Sequence, residues 1–120
     1  MTLLTIPDDR NVYGMITAPL GLSKIAGVLN RLPRVTRASI YTSQFNGAET
    51  LHFCTAAAEF ESTPLEDNEH LFNGAVAGTQ GEVVAFVETM SKLLTEANIQ
   101  HSFEVYGNDR QLLQVVGTKN

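Results

Sequence analysis

The dipeptide Asn46-Gly47 lies between two stretches of alternating apolar residues. No other feature of the sequence restricts the possible fold as much. Asn-Gly favours the positive φ angles of a tight type I′ turn, so it predicts a β-hairpin. With these two as the loop residues, Ile40 lies opposite Phe53 on one face of the hairpin, and Tyr41 lies opposite His52 on the other face. A slip of one residue would mix apolar and polar positions, so the turn and the pattern predict the same register.

Two segments carry apolar residues at helical spacing. The stronger one runs from Gln80 to Ala97, and Thr79 with Glu82 forms the T-x-x-E capping box that starts many helices. The other covers Leu20 to Leu32, contains two glycines and ends before a proline. Each helix has one apolar stripe, which needs a sheet to cover it.

The remaining strands complete the predicted architecture. A strand is expected over residues 11–17, a second hairpin over residues 101–116 with Phe103 opposite Leu113, and a short strand or an arm over residues 1–10. The order strand, helix, hairpin, helix, hairpin resembles the split βαβ, or ferredoxin-like, arrangement. The prediction is therefore one α+β domain over residues 1–120, in which an antiparallel sheet carries both helices on one face and an extra C-terminal strand. A likeness of fold implies no activity.

The connection over residues 57–79 is longer than usual, which predicts a long loop or a lid. Glu66 and His70 would share one face of a helical turn there, as metal ligands can. A solvated turn anchored by its apolar neighbours is the favoured interpretation. No metal and no cofactor are therefore predicted.

Composition and charge limit the partners and the compartment. The chain is 43% hydrophobic and 18% charged, which is ordinary for a globular protein. It has no apolar run long enough for a membrane span and no secretory start, and Cys54 is its only cysteine, so a cytoplasmic protein is expected. Arg31, Arg34 and Arg37 form too weak a basic patch to predict nucleic-acid binding. Most of the negative charge lies in the second half of the chain.

Strand alternation predicts a mixed aromatic and polar surface on the sheet face away from the helices. The residues expected there are Tyr13, Met15, Thr17, Arg37, Ser39, Tyr41, His52, Cys54, Ser102, Glu104 and Tyr106. Apolar area provides affinity and polar groups provide orientation, so such a surface fits a partner or a ligand. The ligand or interface residues predicted are Tyr13, Met15, Tyr41, His52 and Tyr106. The plainer alternative is a set of ordinary half-exposed strand residues.

Three functional hypotheses follow. The preferred one is a non-enzymatic binding module that forms a homodimer through its open sheet face and binds a small molecule or a protein. The second is a small enzyme with acid-base chemistry at His52 and Glu104, in a cavity under residues 65–78. Cys54 is a weaker catalytic candidate, because residues two apart on a strand are nearly 7 Å apart. The third is an acidic inhibitor or immunity-type protein in which Glu66, Asp67 and Glu69 bind a basic partner.

Overall fold

The computed structural model describes residues 10–19, 21–107 and 109–117. Within these residues, seven strands form one sheet in the order β2-β3-β4-β5-β1-β6-β7, and every pair of neighbours is antiparallel. The elements in chain order are β1 (Val12–Thr17), α1 (Leu22–Leu29), β2 (Val35–Thr42), β3 (Glu49–Thr55), β4 (Ala58–Pro64), β5 (Glu69–Val76), α2 (Gln80–Glu96), β6 (His101–Tyr106) and β7 (Leu112–Gly117). The arm or strand expected over residues 1–10 lies, except for Arg10, outside the described residues.

The ferredoxin-like prediction is wrong. A ferredoxin-like sheet has four strands, whereas the described part of this chain has seven strands and two helices. The difference comes from residues 57–79, which form the hairpin β4–β5 instead of a loop or a lid. This hairpin lies in the middle of the sheet, between β3 and β1, and α2 then connects β5 to β6 across β1.

The turn of the β4–β5 hairpin explains why this segment folds into strands. Asp67 and Asn68 have φ angles of 58° and 63°, and the Glu69 N–H donates to the Glu66 carbonyl at 3.1 Å. These are the features of a type I′ turn, and Asp and Asn are the non-glycine residues that best tolerate positive φ. The helical turn predicted to bring Glu66 beside His70 is therefore wrong.

The registers of the two predicted hairpins also differ from expectation. Ser39 lies opposite His52 and Tyr41 opposite Thr50, because the loop before β3 is longer than two residues. The Ser43 N–H donates to the Ala48 carbonyl at 2.8 Å and closes this longer loop. A shift of two residues keeps every side chain on its predicted face, since strand side chains alternate with period two.

The β6–β7 pairing is displaced in a similar way. Phe103 lies opposite Val116 instead of Leu113, and the register is irregular between Val105 and Tyr106. Phe103 nevertheless points to the buried side, where it is 0% exposed. The predicted face of this residue is thus confirmed although its predicted partner is wrong.

Helix α2 begins and ends close to the predicted positions, and both hydrogen bonds of the Thr79–Glu82 capping box are present. Helix α1 is shorter than predicted at both ends: Gly21, with a φ of 92°, is its N-cap, so the helix begins at Leu22, and it ends at Leu29. Both helices pack on the same face of the sheet. The largest fully buried side chains between the layers include Phe53, Phe72, Phe103, Leu51, Met90 and Leu94.

Neither α1 nor α2, the helices found within the described residues, is long and apolar enough to cross a membrane.

Candidate functional site

The sheet face opposite the helices, called the open face below, is not covered by any described element. The strand registers place on it all the predicted site residues: Tyr13, Met15, Tyr41, His52, Cys54, Glu104 and Tyr106. Strand parity therefore predicts the orientation of these side chains correctly. Their shared face does not make them one site, because the part of the sheet that the structure describes is seven strands wide.

The first group of side chains, called the His52 cluster, lies on β2, β3 and β4. The Tyr41 and His52 rings meet edge to face with their centroids 4.8 Å apart. His52 Nε2 lies 3.7 Å from Glu61 Oε2. Tyr41 and His52 are therefore not directly opposite each other, as predicted, but diagonal neighbours whose rings are in contact. The carboxylate beside the imidazole belongs to β4.

The second group, called the Tyr13 cluster, lies on β1 and β6. The Tyr13 and Tyr106 rings also meet edge to face, with centroids 5.6 Å apart. The Tyr106 hydroxyl donates to Glu104 Oε1 at 3.1 Å, and this hydrogen bond is the main reason that the pKa of the Tyr106 phenol is raised. Tyr106 therefore keeps its proton and orients the carboxylate of Glu104.

The two clusters are too far apart to act on one atom. His52 on β3 and Glu104 on β6 are separated by β4, β5 and β1, a distance of about 19 Å at the usual strand spacing. An acid and a base must lie within hydrogen-bonding reach of the reacting group. The proposed His52–Glu104 acid-base pair is therefore wrong, and so is the cavity under residues 65–78, since most of that segment is β5.

Cys54 lies between Arg37 on β2 and Glu59 on β4. Burial raises the pKa of the Cys54 thiol, Glu59 raises it further, and Arg37 lowers it. The net direction is upward, which keeps the sulfur as a thiol near neutral pH. Because the thiolate is the nucleophilic form, these surroundings do not favour covalent catalysis by Cys54.

A second histidine has a serine partner but lies on the helical side of the sheet. His101 Nε2 is 2.6 Å from Ser91 Oγ, and His101 Nδ1 is 2.8 Å from the Ile99 carbonyl oxygen. A carbonyl only accepts hydrogen bonds, so neutral His101 carries its proton on Nδ1 and accepts at Nε2. Both side chains are buried beneath α2, where a substrate has no access. The pair therefore serves the packing of the helix on the sheet.

A depression of about 760 Å³ opens on the central part of the open face, across β5, β1 and β6. Its volume is in the range of small-molecule sites. The side chains around it include Tyr13, Met15, Glu69, Leu71, Asn73 and Glu104. Asn73 Oδ1 accepts a hydrogen bond from the Gly14 N–H at 3.1 Å, so this amide folds onto β1 instead of standing out from the face.

Sequence reasoning missed the three residues that β5 contributes to the depression, Glu69, Leu71 and Asn73. The assignment of residues 57–79 to a loop removed them from the predicted sheet. A signal was present in Asp67-Asn68, which has buried alternating residues such as Phe60 before it and Phe72 after it.

Comparison of the chain with models of protein families, with curated proteins and with solved structures gives no significant match. In the described part of the chain, no three His, Cys, Asp or Glu side chains are close enough together to hold a metal ion. An assignment therefore depends on the exposure, the shape and the charge of this face.

Proposed function

We propose that the protein is a non-enzymatic binding module that forms a homodimer through its open face and binds a small molecule or a protein partner. The observation that supports this most is the exposure of large apolar side chains on that face: Tyr13 is 42% exposed, Tyr41 49%, Leu112 50% and Val115 56%. Exposed apolar groups concentrated on one face are typical of an interaction surface.

The area of the open face is sufficient for a second copy. Seven strands about 4.8 Å apart and about six residues long give a face of roughly 34 Å by 20 Å. Two such faces in contact would bury on the order of 1,300 Å², which is within the range of stable interfaces. Aligned packing of two sheets is also a common arrangement. A second copy is therefore the partner we propose for the whole face.

The charge of the open face sets a condition on this dimer. Among the residues that the structure describes, this face carries Glu59, Glu61, Glu69 and Glu104 but only one arginine, Arg37. Two copies would bring like charges together, which weakens association at low ionic strength. Added salt should therefore strengthen the dimer.

Sedimentation equilibrium tests the dimer directly. The wild-type protein should show twice its chain mass of 13.1 kDa at micromolar concentration. Met15→Glu and Tyr41→Glu should each shift the protein towards monomer, because each places a further carboxylate within the apolar part of the face. Phe45→Glu is the matched control, since Phe45 is 101% exposed in the loop between β2 and β3.

Two results would count against this proposal. One is a wild-type protein that remains monomeric, and the other is a dimer that survives both Met15→Glu and Tyr41→Glu. The second result would indicate pairing elsewhere, for example along the edge of β7.

A cytoplasmic location is part of the same proposal and is supported by the single cysteine, Cys54.

The acidic inhibitor remains a second candidate because of the β4–β5 turn. Glu66 and Asp67 are exposed in this turn, and Glu69 follows them at the edge of the open face. A tight turn presents these carboxylates in a fixed arrangement that a basic partner could bind. Capture of a basic protein by the wild type but not by a Glu66→Gln, Asp67→Asn, Glu69→Gln variant would support this function. Capture that is unaffected by salt or by these changes would exclude it.

A further inference from the structure

The charged side chains around the depression on the open face are acidic. Glu69 and Glu104 are at its margin, and none of the described residues that line it is Lys or Arg. His101 also borders it, but its ring lies on the helical side against Ser91. The depression therefore attracts positive charge and disfavours anions.

The floor between these carboxylates is apolar. Met15 on β1 lies directly opposite Leu71 on β5, and both side chains are partly buried. Tyr13 stands next to Glu104 in the register and provides an aromatic ring. A ring beside a carboxylate is a combination that binds organic ammonium groups, and a thioether with a leucine provides contact for methylene groups.

The two carboxylates lie at opposite corners of the depression. Glu69 is opposite Thr17 on one side of β1, and Glu104 is opposite Tyr13 on the other side. Four residues along the strand and two strand spacings across it separate their Cα atoms by about 16 Å. Both glutamates line the depression, and the Glu104 carboxylate is held by the Tyr106 hydroxyl. This spacing suits a cation with a charge at each end.

We propose that the depression binds a linear aliphatic diamine or polyamine, with one ammonium group at Glu69, the other at Glu104 beside Tyr13, and the methylene chain over Met15 and Leu71. This inference rests on the proposed binding function of the open face and names the class of its small-molecule ligand. Neutralisation of Glu69 and Glu104 by the ligand would also reduce the repulsion between two open faces.

Isothermal titration calorimetry at low ionic strength tests the ligand class with diaminooctane as the probe. Diaminooctane should bind more tightly than octylamine, which has one charge, and more tightly than diaminobutane, which is too short to reach both carboxylates. Glu69→Gln and Glu104→Gln should each weaken binding about fivefold, as expected for ion pairs near the protein surface. Glu59→Gln is the matched control, because it removes the same charge from the same face outside the depression.

Several outcomes would overturn the inference. They are no binding of diaminooctane, equal binding of octanoate, or a loss with Glu59→Gln as large as with Glu104→Gln. Sedimentation without and with added salt separates this inference from the proposed function. A dimer that does not bind diaminooctane excludes only the diamine, whereas a protein that binds diaminooctane with the expected variants but stays monomeric with added salt excludes only the dimer.

Discussion

Two glycines in the middle of the sheet make room for aromatic rings. A methyl group at Gly14 would overlap the ring of Phe103 on β6, and a methyl group at Gly74 would overlap the ring of Phe60 on β4. Each ring lies over the glycine of the neighbouring strand and covers backbone that has no side chain of its own. The aromatic core on the helical side therefore depends on the absence of a side chain at these positions.

Gly14→Ala should lower the free energy of unfolding by about 2 kcal/mol, because the added methyl group overlaps Phe103 and lies 2.9 Å from the Phe72 carbonyl oxygen. Gly27→Ala in α1 is the control, and it should raise the free energy of unfolding instead of lowering it. An added methyl group there meets nothing within 4 Å, and alanine is the better helix former by about 1 kcal/mol. Urea unfolding measures both changes, and a Gly14→Ala protein as stable as the wild type would contradict this account.

At the scale of single elements, the features that were predicted correctly have strong local signals. Helix α2 has an uninterrupted apolar stripe and a capping box, both of which are independent of the rest of the chain. The hairpin β4–β5 has a weaker local signal, since its turn contains neither Asn-Gly nor Asp-Gly. Pro64 also suggested that the strand ended early, although it occupies the last position of β4, where it interrupts little.

The candidate site was likewise predicted correctly where the signal is local and incorrectly where it is not. Strand parity is a local property, so the orientation of Tyr13, Tyr41 and His52 towards the open face could be predicted. The distance between two side chains depends on the order of the strands, which is a property of the whole sheet. Because β4 and β5 were missing from the prediction, His52 and Glu104 were expected to be near each other, and the contribution of Leu71 to the depression was not foreseen.

The β4–β5 turn should be sensitive to the residue at position 68. Asn68 has a φ of 63°, a conformation that costs most residues about 1 kcal/mol but costs glycine nothing. Asn68→Ala should therefore lower the free energy of unfolding by about 1 kcal/mol, while Asn68→Gly should leave it unchanged or slightly higher. Glu66→Ala, outside the two central turn positions, is the control and should have little effect. Equal stability of the Ala and Gly variants in urea would show that this turn does not constrain the hairpin.

At the scale of the whole molecule, the two faces of the sheet have different roles. The helical face holds the core, where Ser62 Oγ, for example, accepts a hydrogen bond from the Leu51 N–H at 2.8 Å. The open face instead holds the exposed rings of Tyr13 and Tyr41 and most of the acidic strand residues. A change on the helical face should therefore act on stability, whereas a change on the open face should act on association and binding.

The helical face also makes the stability of the whole protein depend on pH. Burial lowers the pKa of His101 below its ordinary value of 6.5, and the hydrogen bond to the Ile99 carbonyl opposes part of this shift. Burial likewise lowers the pKa of His70, against the attraction of Glu49. Both histidines are thus harder to protonate in the folded protein than in the unfolded chain. Between the two pKa values the unfolded chain binds more protons, so stability is complete above about pH 6.5 and decreases as the pH falls towards the folded pKa.

Urea unfolding between about pH 5 and 8 should show this loss, with a slope of up to about 1.4 kcal/mol per pH unit from His101 alone. His101→Gln should lower stability at neutral pH and reduce the dependence below pH 6.5 to the part that His70 contributes, because the variant has no group at position 101 that titrates in this range. Ser91→Ala is the matched variant: it removes the hydroxyl next to His101 Nε2 but keeps the imidazole, so it should lower stability and retain the pH dependence. A wild-type stability that is flat across this range, or a His101→Gln protein that keeps the wild-type slope, would show that the buried imidazole does not control the response to acid.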